Sequence, residues 1–128
     1  MKPITREWVN KAEGDFATAQ REFIVRPDPN YDAVCFHSQQ CAEKYLKARL
    51  QEASLPFPRI HDLSVLLDRV LSIEPTWEIL REAAESLTSF AVEYRYPGVS
   101  ANESEAREAV AACAEVRRAV RSALSLDV

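Results

Sequence analysis

Apolar residues recur at steps of three and four through most of this chain, and no stretch of any length alternates apolar with polar residues. The clearest run is Trp77, Leu80, Ala84, Leu87, Ala91 and Tyr94, a heptad-like seam. That spacing draws one apolar stripe along a helix, whereas a half-buried strand needs a period of two. Only 2 glycines occur in 128 residues, so turn chemistry for an all-β fold is scarce. The long segments are rich in alanine, glutamate, arginine and leucine, which are good helix formers. The expected fold class is all-α, an antiparallel up-and-down bundle of four to five helices forming a single domain over 1–128.

Punctuation along the chain sets the expected elements. Thr5 is placed to cap a first helix, with Glu7 in its first turn. Trp8, Ala12, Phe16, Ala19 and Phe23 carry its stripe to about Val25, where Pro27-Asp28-Pro29-Asn30 stops it. A second helix from Asn30 or Tyr31 to about Ala53 has an unusually wide stripe that includes Val34, Cys41, Ala42, Tyr45, Leu46 and Leu50. Such width implies more than one neighbour, or a dimer partner. Asp62 is a cap for a short helix bearing Leu63, Leu66, Leu67, Val70 and Leu71. Pro75 suits the first turn of a fourth helix ending at Arg95-Tyr96-Pro97-Gly98. Asn102 and Glu105 form a capping box for the last, whose seam runs Ala106, Ala109, Cys113, Val116, Val120 and Ala123.

Composition excludes several classes of function. A net charge of −4 and a pI near 5.2 argue against broad, non-specific nucleic-acid binding, although a local basic patch is compatible with both. Cys35, Cys41 and Cys113 show no CxxC spacing, and the two histidines, His37 and His61, lie too far apart for a zinc motif. No metal or cofactor is expected, and the thiols are expected to be reduced and buried in a cytoplasmic protein. No signal peptide is expected, since the first residues carry no apolar run, and no run of about 20 apolar residues that would cross a membrane occurs.

Polar residues cluster in a few places. Gln40, Glu43, Lys44 and Lys47 share one side of the second helix, either as a binding face or, more plainly, as a solvated face with an i, i+4 ion pair. His37 reads as a histidine satisfied by its bundle neighbours. His61 and Asp62 either bind a nucleotide or organise a helix start. Arg117, Arg118 and Arg121 read as dipole complementation plus solubility. Arg95 and Tyr96 leave a strongly apolar helix, where an arginine can hold a phosphate and a tyrosine can stack on a base. No Gly-rich phosphate loop or catalytic serine elbow is present.

The order of these fragments resembles the HEPN family (higher eukaryotes and prokaryotes nucleotide-binding domain). The resemblance rests on Trp8, Ala12 and Asp15; on Phe36 to Lys47 with Gln40, Ala42, Glu43 and Lys44; on Arg59-Ile60-His61-Asp62-Leu63; and on Tyr94-Arg95-Tyr96-Pro97. It implies an antiparallel helical bundle, usually a homodimer, and in small prokaryotic members a minimal nucleotidyltransferase as partner in a toxin–antitoxin-type pair. Many members are metal-independent ribonucleases whose signature is an arginine followed after four to six residues by a histidine. This chain departs from that signature, because no histidine follows Arg95. The implied function is thus a dimeric module binding nucleotide or RNA phosphate without catalysis, through Gln40, Glu43, Lys44, Lys47, His61, Asp62, Arg95 and Tyr96. The alternatives are a ribonuclease toxin using Arg95 and His61, and a purely structural interaction domain.

Overall fold

The computed structural model describes residues 1–128 and contains helices but no strands. The long elements are α1 (Pro3–Ile24), α2 (Tyr31–Glu52), α4 (Arg81–Glu93) and α5 (Glu103–Ala123). The short helix α3 (Leu63–Val70) and a 3₁₀ segment (Pro75–Leu80) lie between α2 and α4. Long-range bonds give the directions. Thr5, near the start of α1, donates its hydroxyl to Glu52 at the end of α2 (2.9 Å), so these two helices are antiparallel. Tyr94, at the end of α4, bonds Glu105 in the first turn of α5, which makes that pair antiparallel too. The up-and-down bundle expected from the apolar spacing is therefore the fold observed.

Helix α2 is the centre of the molecule, packed against α1, α3, α4 and α5. Its side chains are accordingly buried nearly all round, from Val34 and Cys35 through Cys41, Ala42, Tyr45 and Leu46 to Leu50. Each large aliphatic side chain removed from water there stabilises the fold by about 1.5–3 kcal/mol. The seam of α4 and the preceding segment closes on it through Trp77, Leu80, Ala84 and Leu87, and α5 supplies Ala106, Ala109, Cys113, Val116 and Val120. Small residues in the α5 seam let that helix approach closely, although Ala123 at its end is exposed. All three cysteines are free and buried. No helix is long and apolar enough to cross a membrane.

Two starts and one face differ from expectation. Helix α1 begins at Pro3 with Lys2 in the capping position, so Thr5 is not the cap. Proline's fixed φ suits the first helical position, and the chain enters helix earlier as a result. Thr5 is buried instead, bonded to Glu52. After Pro75 the chain forms a 3₁₀ helix through Leu80 before α4 starts at Arg81, so Trp77 and Leu80 precede the α-helix rather than lie in it. Asn30, Asp62 and Asn102 do cap α2, α3 and α5, the last through a full capping box. The expected solvated face on α2 is not solvated: Glu43 and Lys47 are only 3% and 7% exposed. This part of α2 is covered by Trp8 of α1 and by Phe57 and His61 of the connector, so the two charges pair beneath them.

Candidate functional site

A cleft of about 540 Å³ opens between α2, the connector before α3, and α4. Phe36, Gln39 and Gln40 form its α2 wall, His61 and Asp62 come from the connector, and α4 contributes Thr88, Ala91 and Val92, with Arg95 just beyond its end. His61 and Arg95, 34 positions apart in sequence, thus meet at one cavity. Arg95 is exposed and makes no ion pair or hydrogen bond within the chain. A free guanidinium on a concave wall is suited to bidentate capture of a phosphate.

His61 is held from behind. Its Nδ1 lies 2.8 Å from Glu43 Oε1, while its side chain remains 78% exposed. An ionised carboxylate only accepts, so the bonded Nδ1 carries a proton and a neutral ring presents an unprotonated Nε2. Glu43 is itself saturated: Gln39 Nε2 donates to Oε1 (3.1 Å) and Lys47 Nζ donates to Oε2 (2.9 Å). Burial alone would raise the Glu43 carboxyl above its ordinary value, but the bonds from Lys47, His61 and Gln39 outweigh burial and hold it lower. Lys47 rests its ammonium 5.6 Å from the Trp8 ring centroid and 5.9 Å from that of Phe57. Gln39 also donates to the His61 carbonyl (3.0 Å) and accepts from Gln40 Nε2 (2.8 Å), which ties the connector to α2.

The eight residues singled out from sequence divide into groups. Gln40, His61, Asp62 and Arg95 line the cleft. Glu43 and Lys47 lie behind it, as a buried support for His61. Lys44 turns the other way and bonds Asp15 Oδ2 of α1 (2.6 Å). Tyr96 is exposed beyond Arg95 and does not line the cleft. Asp62 caps α3, its Oδ1 accepting from Ser64 N at 2.9 Å. His37 is satisfied by Asp15, Nδ1 to Oδ1 at 2.8 Å, as expected for a bundle histidine.

Gln39, Phe36 and Thr88 were not identified from sequence. Gln39 carried a usable signal, since it sits one turn before Glu43 on a helix whose stripe was already too wide for one neighbour. Arg117 and Arg121 are more than surface cations. Arg117 forks onto Glu13 (2.7 and 2.9 Å), and Arg121 donates to Tyr45 Oη (3.1 Å), so the two link α5 to α1 and α2. The Arg117 bond is the main cause holding the Glu13 carboxyl below its ordinary range. Residue clusters able to hold a metal ion are absent.

An all-helical bundle built around a central helix, with a cleft between α2 and α4, defines a class of small helical domains. The model of the HEPN domain matches residues 5–123, and the chain belongs to that family. Two solved structures are similar to it over nearly their whole lengths. TT1696 from Thermus thermophilus is 26% identical, with a TM-score of 0.77 over 92% of this chain and 96% of that one. ST0689, described as an archaeal HEPN homologue, is 27% identical, with a TM-score of 0.75 over 95% of this chain and 98% of that one. No curated protein matches the chain.

Proposed function

We propose that this protein is a dimeric HEPN module that works beside a minimal nucleotidyltransferase in a toxin–antitoxin-type pair, and that its α2–α4 cleft binds a nucleotide or an RNA phosphate. The observation that carries the binding reading is the unpaired Arg95 guanidinium on the same cavity as His61 and Gln40. Arg95 takes the phosphate, His61 Nε2 and Gln40 supply hydrogen-bonding groups, and Phe36, 49% exposed, offers a ring face to a base. Exposed apolar side chains nearby (Val92, Tyr96 and Val99) favour a covering surface, either a second copy or the partner.

Calorimetric titration with adenosine monophosphate tests the binding reading. A charge-assisted phosphate bond contributes about 1.5–3 kcal/mol, so Arg95→Ala should weaken binding roughly ten- to hundredfold. Its unfolding temperature should stay unchanged, because Arg95 braces nothing. Absence of binding by the unaltered protein at millimolar nucleotide would end the binding reading. Light scattering tests the dimer, and a strict monomer at micromolar concentration contradicts it.

A second reading, metal-independent RNA cleavage, is favoured by one specific observation: the Glu43-held His61 shares the cleft with Arg95. His61 Nε2 would take the proton of a ribose 2′-hydroxyl while Arg95 steadies the phosphate. This reading requires cleavage in the presence of a chelator and its loss in both Arg95→Ala and His61→Ala. Cleavage that survives either substitution rejects it.

A further inference from the structure

The cleft does not end at Arg95. A second cavity of about 330 Å³ adjoins it, and the two share Phe36, Ala91 and Arg95 as a common wall. Its far side is aromatic: the Phe90 and Tyr94 rings lie with centroids 6.1 Å apart and planes 22° from parallel. Asp32 also lines this end, its Oδ1 accepting from Ala101 N at 2.7 Å, which leaves the carboxylate its charge and fixes it on the α5 side of the cavity. The one charged residue common to both cavities is Arg95, with an exposed ring, Phe36, beside it.

We propose that the two cavities are adjacent subsites for one single-stranded oligonucleotide, with an internal phosphodiester on Arg95 and a nucleoside in each cavity. This rests on the nucleotide-binding reading and deepens it. A cation set between the exposed Phe36 ring and the Phe90–Tyr94 pair matches the chemistry of a strand, in which one anionic phosphate separates two stackable bases. A mononucleotide fills the larger cavity and leaves the Phe90–Tyr94 wall unused. Gln40 and His61 face only the first nucleoside, and the second stacks on the Phe90–Tyr94 wall with Asn30 and Asp32 at its edge.

The test compares adenosine monophosphate with a diadenosine dinucleotide carrying one 3′–5′ phosphodiester, its first ribose 2′-O-methylated so that it cannot be cleaved. The unaltered protein should bind the dinucleotide about tenfold or more tightly than the mononucleotide, the gain expected from one further stacked base. Ala33→Phe fills the second cavity from α2 and should bring dinucleotide affinity down to the mononucleotide value, leaving the latter unchanged. Tyr94→Leu removes the stacking wall and gives the same comparison should the first variant fail to fold. Mononucleotide binding with no dinucleotide advantage overturns this proposal and leaves the nucleotide reading standing. Failure of both ligands to bind overturns both.

Discussion

Lys47→Met probes the interior ion pair that supports the cleft. The side chains of Lys47 and Glu43 are 9% and 4% exposed, with Nζ and Oε2 2.9 Å apart. Removing one partner of a buried pair strands the other, at a cost of about 3–5 kcal/mol. Two features soften that here. Glu43 keeps its bonds from Gln39 and His61, and a methionine keeps most of the apolar stem against Trp8 and Phe57. The expected loss is about 3 kcal/mol at pH 7, read by urea unfolding. The pH dependence follows from the causes acting on Glu43. In the unaltered protein its carboxyl is held below the ordinary 4.5. Its stabilising contribution is thus complete above that value and is lost as pH falls through the lower folded-state value. In Lys47→Met the strongest opposing bond is gone and burial dominates, so the carboxyl rises and protonation relieves the fold. The deficit of the variant should then shrink as pH falls toward about 4.5. Adding Glu43→Gln to Lys47→Met should recover more than about 1 kcal/mol at pH 7, because an amide costs less to bury than an unpaired carboxylate. A loss below about 1 kcal/mol that does not vary with pH would mean the pair is solvated, and would refute the reasoning.

Three further outcomes are expected. Asn102→Ala should cost about 1 kcal/mol in urea unfolding, since the Asn102 side chain accepts from Glu105 N at 2.8 Å and that half of the α5 capping box is lost. The unfolding temperature should fall below about pH 4.5, because both Glu13 and Glu43 are held low in the folded state and folding weakens as they protonate; calorimetry across acid buffers checks this. A chromogenic disulfide reagent should find no reactive thiol in the native protein and all three in urea. Each cysteine is buried, and burial pushes the Cys35 thiol up to about 12.

Much of the fold was legible because helix signals are local. The stripes of α1, α4 and α5, and the caps Asn30, Asp62 and Asn102, each lie within a few residues of what they specify. The misreadings have the same origin seen from the other side. Thr5 looks like a cap when Pro3 is given too little weight, and a 3₁₀ turn after Pro75 shares the early spacing of an α-helix. The site was legible only as a set of parts. Arg95 and His61 were found individually, but their meeting depends on how α4 lies against α2, which no spacing encodes. The exposure of Glu43 and Lys47 was misjudged because an ion pair at i, i+4 looks the same on a surface as in a core. The breadth of the α2 stripe held the correction, since charges on a helix packed against four neighbours must find partners where those neighbours cover them.

The imidazole at the cleft is moored, through a carboxylate and an ammonium, to an indole and a phenyl ring one turn further along α2. The ligand side is therefore coupled to the place where Trp8 of α1 packs against Phe57 of the connector before α3. Remodelling the Trp8–Phe57 niche offers a way to retune recognition without touching any atom that meets the ligand.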